Sequence, residues 1–145
     1  MNLAVLTRSE EETRAFAARC LHHFGTTRVY ALQGDLGSGK TAFVKGLAET
    51  LGSMGAVTSP TFTLIQEYPL PQGRRLIHVD LYRIEHPYEL AALGWDEILD
   101  DPDAFVAVEW ADRARELIPA DAVWVRFEYG LVSSERRITA GRGEG

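Results

Sequence analysis

The octet Gly34-Asp35-Leu36-Gly37-Ser38-Gly39-Lys40-Thr41 carries the residue types best suited to chemistry. It fits G-x-x-x-x-G-K-[ST] at every fixed position, the pattern of a phosphate-cradling P-loop. Glycines let the backbone curl around phosphate oxygens, where a Cβ would intrude. Lys40 supplies a point charge for β- and γ-phosphates, and the Thr41 hydroxyl is placed to ligate Mg²⁺. Such a loop needs a strand before it and a helix after it, so that backbone N–H groups and the helix dipole face the anion. Val29 to Leu32 form an apolar run fit for that strand. Phe43, Val44, Leu47, Ala48 and Leu51 recur at helical spacing, and Gly52 stands where the helix should stop.

Hydrolysis at a P-loop needs a carboxylate at the end of a neighbouring parallel strand. Asp80 follows Leu76-Ile77-His78-Val79, and Glu109 follows Phe105-Val106-Ala107-Val108. One could bind Mg²⁺, directly or through water, while the other orients the attacking water; the sequence leaves the assignment open. Thr58-Ser59-Pro60-Thr61 offers hydroxyls on a loop stiffened by proline, which fits a switch between ATP and ADP states, with an ordinary turn as the alternative. Asn2 is the only asparagine, so an Asn-Lys-x-Asp guanine-reading segment is impossible and ATP is the favoured nucleotide.

The elements that must position these residues follow from patterning. Leu3 to Leu6 read as a strand or apolar arm. Ser9 with Glu12 forms a capping box opening a helix whose stripe is Phe16, Ala17, Cys20, Leu21 and Phe24. Strands are expected over 64–68, 75–80 and 104–108, with short helices over 86–93, 95–99 and 112–117. Val123 to Tyr129 alternates as a half-exposed antiparallel strand, with Trp124, Arg126 and Glu128 on its polar side, and 135–140 pairs with it as a hairpin. The expected fold class is α/β: a single P-loop NTPase domain over 1–140, with a mostly parallel central sheet, helices on both faces and an antiparallel C-terminal hairpin. Residues 141–145 are expected to be a disordered tail.

The 145 residues suit one domain, and no apolar run approaches the ~18 residues of a membrane span. The N-terminus lacks a secretory pattern, and the lone Cys20 fits a reducing cytoplasm. A net charge of −6 suits the chain poorly to gripping a phosphate backbone by itself, so any nucleic acid role would run through a partner.

G-D-L-G-S-G-K-T, V-T-S-P-T-F-T-L, H-V-D-L-Y-R and V-E-W, in this order and spacing, resemble the bacterial TsaE (YjeE) ATPase family. The resemblance implies a part in the threonylcarbamoyl modification of adenosine 37 in tRNAs reading A-starting codons. It implies an assembly with TsaD and TsaB, kept cycling by ATP binding and hydrolysis, with tRNA met only indirectly and no membrane. It assigns the phosphates to Gly34 through Thr41, the magnesium side to Thr41 and Glu109, and the acidic end of the H-V-D strand to Asp80. Thr58 and Thr61 match the switch-like loop, and Trp110 matches a Trp packed near nucleotide or partner. Glu10, Thr13 and Arg137 are implied on the nucleoside side. Ser38 stands where the family often has Ala, and Ala111 where it often has Pro. The competing classes are a small P-loop kinase, for which only Arg83 and Arg113 could serve singly as lid arginines, and a nucleotide-binding regulator that does not hydrolyse.

Overall fold

The structure, a computed structural model, describes residues 2–35, 37–55 and 65–143. Leu36, Thr58 and Thr61 lie outside the described residues, as does the rest of the Thr58–Thr61 loop. The chain begins with β1 (Leu3–Thr7), α1 (Glu10–His23), β2 (Val29–Gln33) and α2 (Lys40–Leu51). It continues with β3 (Ile65–Pro69), β4 (Arg75–Asp80), α3 (Tyr88–Ala92) and α4 (Trp95–Asp100). β5 (Ala104–Glu109), a 3₁₀ stretch over Ala111–Leu117, β6 (Val123–Tyr129) and β7 (Arg136–Arg142) complete it.

Among the described residues the strands form one seven-stranded sheet in the order β1-β7-β6-β2-β5-β4-β3. Its centre is parallel, through the pairs β4–β5, β5–β2 and β2–β6. Antiparallel strands flank it: β3 on β4 at one side, β7 on β6 and β1 on β7 at the other. β2 is buried along its whole length, as expected of a parallel strand covered on both faces. Tyr30 and Leu32 join the core under α1 and α2, while Val29 and Ala31 join the core under α3, α4 and the 3₁₀ stretch. One apolar run therefore serves two cores, because its side chains alternate between faces.

Local chemistry sets the helix ends. Ser9 Oγ accepts the Glu12 N–H at 3.1 Å, while the Glu12 carboxylate turns back to the Arg8 N–H at 2.7 Å, one residue before the usual reach of a capping box. Phe16, Ala17 and Cys20 are buried in the stripe facing the sheet. Burial pushes the Cys20 thiol up to about 12, so it is an inert core residue. α1 and α2 meet at Gly46, where a Cβ would lie 2.5 Å from the Arg14 carbonyl oxygen. Gly52 caps α2 in a left-handed conformation, with φ 94°. Among the described residues, no helix is long and apolar enough to cross a membrane.

Two expectations are corrected. β6 is not simply a half-exposed antiparallel strand: one side pairs parallel with β2, from Tyr30↔Val123 to Gln33↔Arg126. Trp124, expected on the polar side, is buried in the second core with Ala111 and Ala114 of the 3₁₀ stretch. That cover comes from a preceding segment, so alternation within β6 could not report it. The tail expected from Gly141 is also too long, because β7 runs to Arg142. Gly141 pairs with Trp124, and the Arg142 guanidinium donates to Thr27 Oγ1 at 3.0 Å and to the Phe24 carbonyl at 3.3 Å.

Candidate phosphate and metal site

β2 ends at Gln33 and α2 begins at Lys40, so the octet starts just after a central parallel strand and supplies the first two residues of a helix. This is the carboxyl end of the parallel strands, where ligands of open α/β sheets gather. Gly39 precedes α2 with φ 109° and ψ 6°, a left-handed backbone that costs glycine little. At Gly34 the requirement is space, because a Cβ would sit 2.7 Å from Ser38 Oγ and 2.8 Å from the Phe127 carbonyl oxygen. β6 thus packs closely against Gly34. Ser38 is buried there, and its hydroxyl has no hydrogen-bond partner among the described residues.

Lys40 is only 4% exposed. Its Nζ donates to the carbonyls of Gly34 at 2.6 Å and Asp35 at 2.9 Å, and lies 4.2 Å from the centre of the Trp110 ring. Burial lowers the Lys40 pKa, while Glu109, Asp80, Asp112 and Asp35 act in the opposite sense and favour the cation.

β4 and β5 run parallel with Asp80 directly opposite Glu109. Both strand-end acids therefore arrive beside the octet. Burial raises the Asp80 pKa, its largest influence; the Tyr82 N–H, donating to Oδ1 at 2.9 Å, opposes it. Glu109 pushes the same group further up, and His78 and Lys40 pull it down. Glu109 is buried, and its Oε2 accepts from Thr41 Oγ1 at 3.2 Å and from His78 Nε2 at 2.6 Å. His78 is fully buried, and its Nδ1 has no hydrogen-bond partner among the described residues.

Lys40, Thr41, Asp80, Glu109 and Trp110 line one cavity of about 300 Å³ together with Gly37 and Gly39. Trp110 reaches it through an unusual backbone, with φ 59° and ψ 37°. A left-handed non-glycine residue costs on the order of 1–3 kcal/mol and persists only where its surroundings impose it. The turn at Trp110 lays the indole beside Lys40, with the Tyr82 ring 5.0 Å away. The Arg113 guanidinium lies over both rings, 5.4 Å from Tyr82 and 5.7 Å from Trp110. Ala111, the departure from Pro, is fully buried in the core just after this turn.

A second cavity of about 200 Å³ adjoins Gly37 and Gly39 and is lined by Ser9, Glu10, Thr13 and Arg136. Glu10 borders both cavities and also pairs with Arg14 at 3.0 Å and Lys45 at 3.3 Å. Thr13 is buried, with its hydroxyl 2.9 Å from that of Thr7. Arg137 is exposed and lines neither cavity; Arg136 faces the octet, donating to the Gly37 carbonyl at 3.0 Å. Adjacent strand residues point to opposite faces, so the hairpin register decides which arginine reaches the loop.

Three residues that the sequence reading left without a site role enter the geometry: His78, Tyr82 and Arg136. His78 carried a usable signal, since it precedes Asp80 by two positions on one strand and so shares its face. Arg136 carried none, because its contact with Gly37 spans 99 positions.

The donors suit magnesium. Thr41 Oγ1 and the Glu109 carboxylate are neighbouring hard oxygens, with the Asp80 carboxylate lining the same cavity. Mg²⁺ is commonly held by one or two carboxylates plus substrate phosphates rather than by an all-protein cage. No cluster of three or more His, Cys, Asp or Glu suited to a metal occurs among the described residues.

Strand, glycine loop, helix and paired strand-end acids define the P-loop class of α/β phosphate-binding domains. The family model described as "Threonylcarbamoyl adenosine biosynthesis protein TsaE" matches residues 7–138. The tRNA threonylcarbamoyladenosine biosynthesis protein TsaE of Bacillus subtilis is 41% identical over 136 residues, covering 92% of this chain and 81% of that protein. The protein of the same name from Borreliella burgdorferi is 35% identical over 129 residues, covering 89% and 92%. The crystal structure of YdiB from Bacillus subtilis superposes with a TM-score of 0.74 at 33% identity, covering 99% of this chain and 87% of that one. The chain belongs to the TsaE family.

Proposed function

We propose that this protein is the ATP-binding, weakly hydrolysing subunit of the machinery that makes threonylcarbamoyladenosine in tRNA. It would act through the partners TsaD and TsaB and touch tRNA only through them. The family relationship supports the pathway. The observation that carries the chemistry is the meeting of Lys40, Thr41 and Glu109 on one cavity, with Thr41 Oγ1 bonded to Glu109 at 3.2 Å. A lone, free and buried Cys20 is in keeping with a cytoplasmic setting.

In this reading the octet and the start of α2 bind the phosphates of ATP. Lys40 exchanges its bonds with the Gly34 and Asp35 carbonyls for phosphate oxygens. Thr41 and Glu109 would hold Mg²⁺, with Asp80 beside them, directly or through water; the ion would neutralise charge developing on the phosphates. Asp80 accepts only the Tyr82 N–H among the described hydrogen bonds, which leaves Oδ2 to orient water. The Trp110 ring shields Lys40 from solvent. Hydrolysis then resets the partner assembly instead of phosphorylating a substrate.

The test is reconstitution of the full chain with TsaD, TsaB, tRNA and ATP. Wild type should support modification and turn over ATP, and Glu109→Ala should lose turnover. Turnover unchanged by Glu109→Ala would remove that residue from the mechanism. Modification that proceeds without ATP turnover would make the protein a nucleotide-binding regulator.

A further inference from the structure

The geometry points to His78 as the positioning residue that holds Glu109 on the metal side of the site, an inference resting on the function proposed above. His78 lies fully buried in β4. Its register partner in β5 is Ala107, and Glu109 lies two positions further along the same face of that strand. The ring reaches Glu109, with Nε2 2.6 Å from Oε2. A carboxylate accepts, so Nε2 is the donor nitrogen. The ring's Nδ1 is buried without a partner among the described residues. Buried polar atoms are nearly always paired, so this histidine is not arranged to satisfy both of its nitrogens. What the arrangement achieves is orientation. Thr41 Oγ1 donates to the same Oε2 at 3.2 Å, and no described residue donates to Oε1. Two donors on one oxygen fix the rotation of the carboxylate and leave its other oxygen to the cavity that Glu109 lines.

The test compares three variants in the full chain. His78→Gln keeps an N–H donor at the reach of Nε2, His78→Asn places it one carbon short, and His78→Leu has none. Mg²⁺ is titrated against binding of a fluorescent ATP analogue, and ATP turnover is measured alongside with the partner proteins present. Asn and Leu should raise the Mg²⁺ concentration for half-maximal effect by about 10–100-fold, and Gln should remain close to wild type, as expected for an outer partner of a ligating carboxylate. Analogue binding without Mg²⁺ should be the same in all. The inference is overturned if all variants match wild type, or if Gln loses as much as Asn, because a merely structural histidine would treat the two amides alike. If His78→Leu does not fold, the Gln–Asn pair still decides. A wild type that ignores both analogue and Mg²⁺ would sink the proposed function and this inference together; a responsive wild type beside indifferent variants sinks only the inference.

Discussion

Lys40 combines burial with several acids in its surroundings, and that combination makes it more than a surface charge. In the proposed phosphate role, a cation desolvated in this way would contribute far more than one in water. Lys40→Ala should cut ATP turnover by about 10²–10³-fold, measured as phosphate release with partners present; activity within a few-fold of wild type would exclude the phosphate role. Asp80 is the opposite case. Burial, then Glu109, raises its pKa against the pull of the Tyr82 N–H, His78 and Lys40. A carboxyl raised in the fold favours folding while protonated, and stability falls as pH climbs from the unfolded value through the raised folded value. At pH 7 the ionised Asp80 therefore costs stability. Asp80→Asn keeps an oxygen for the Tyr82 N–H and removes the charge. Its urea midpoint should exceed that of wild type at pH 7, converge with it below about pH 4, and come with lost turnover. A lower midpoint at pH 7 would mean that Asp80 is held by attractions stronger than its burial cost.

At the scale of elements, the site depends on α2 being seated on the sheet and against α1. Gly46 is where this is tightest: a Cβ there would lie 2.5 Å from the Arg14 carbonyl oxygen and 2.8 Å from the Ala17 Cβ. Helix propensity alone favours Gly46→Ala by about 1 kcal/mol, whereas overpacking costs about 1–3 kcal/mol. The nearest atoms are backbone and a short side chain, which cannot swing aside, so overpacking should win. Gly46→Ala should lose up to about 2 kcal/mol in urea unfolding. A gain in stability would show that α1 slides outward without penalty. The turn after β5 is the second such device: the left-handed Trp110 brings an indole over Lys40 that a straight continuation of the strand would carry elsewhere.

For the whole molecule, charge bears on the proposed work through partners. The chain carries a net charge of −6, while nucleic acid binding draws most of its affinity from neutralising phosphates. The protein alone should not retain tRNA at about 0.15 M salt, where even non-specific binders reach Kd values of roughly 10⁻⁴–10⁻⁶ M. Retention should appear once the partner proteins are added. Tight, salt-sensitive binding by the isolated chain would place a direct RNA contact on this subunit.

Features made by near neighbours were legible from residue order: the octet, the Ser9–Glu12 helix start, the Gly52 stop, and apolar runs ending on Asp80 and Glu109. Each is a matter of backbone conformation or side-chain period within one turn or one strand. The parallel centre of the sheet followed from those runs alternating with helices. Tertiary structure decided what depends on pairing across the chain. Strand register set Asp80 against Glu109, and the fold brought His78 to Glu109 across 31 positions. Hairpin register turned Arg136, not Arg137, toward the octet. The 3₁₀ stretch buried Trp124, and pairing with β6 carried β7 on to Arg142. A one-residue change in register reverses which face a side chain occupies, and no window of local sequence contains that choice.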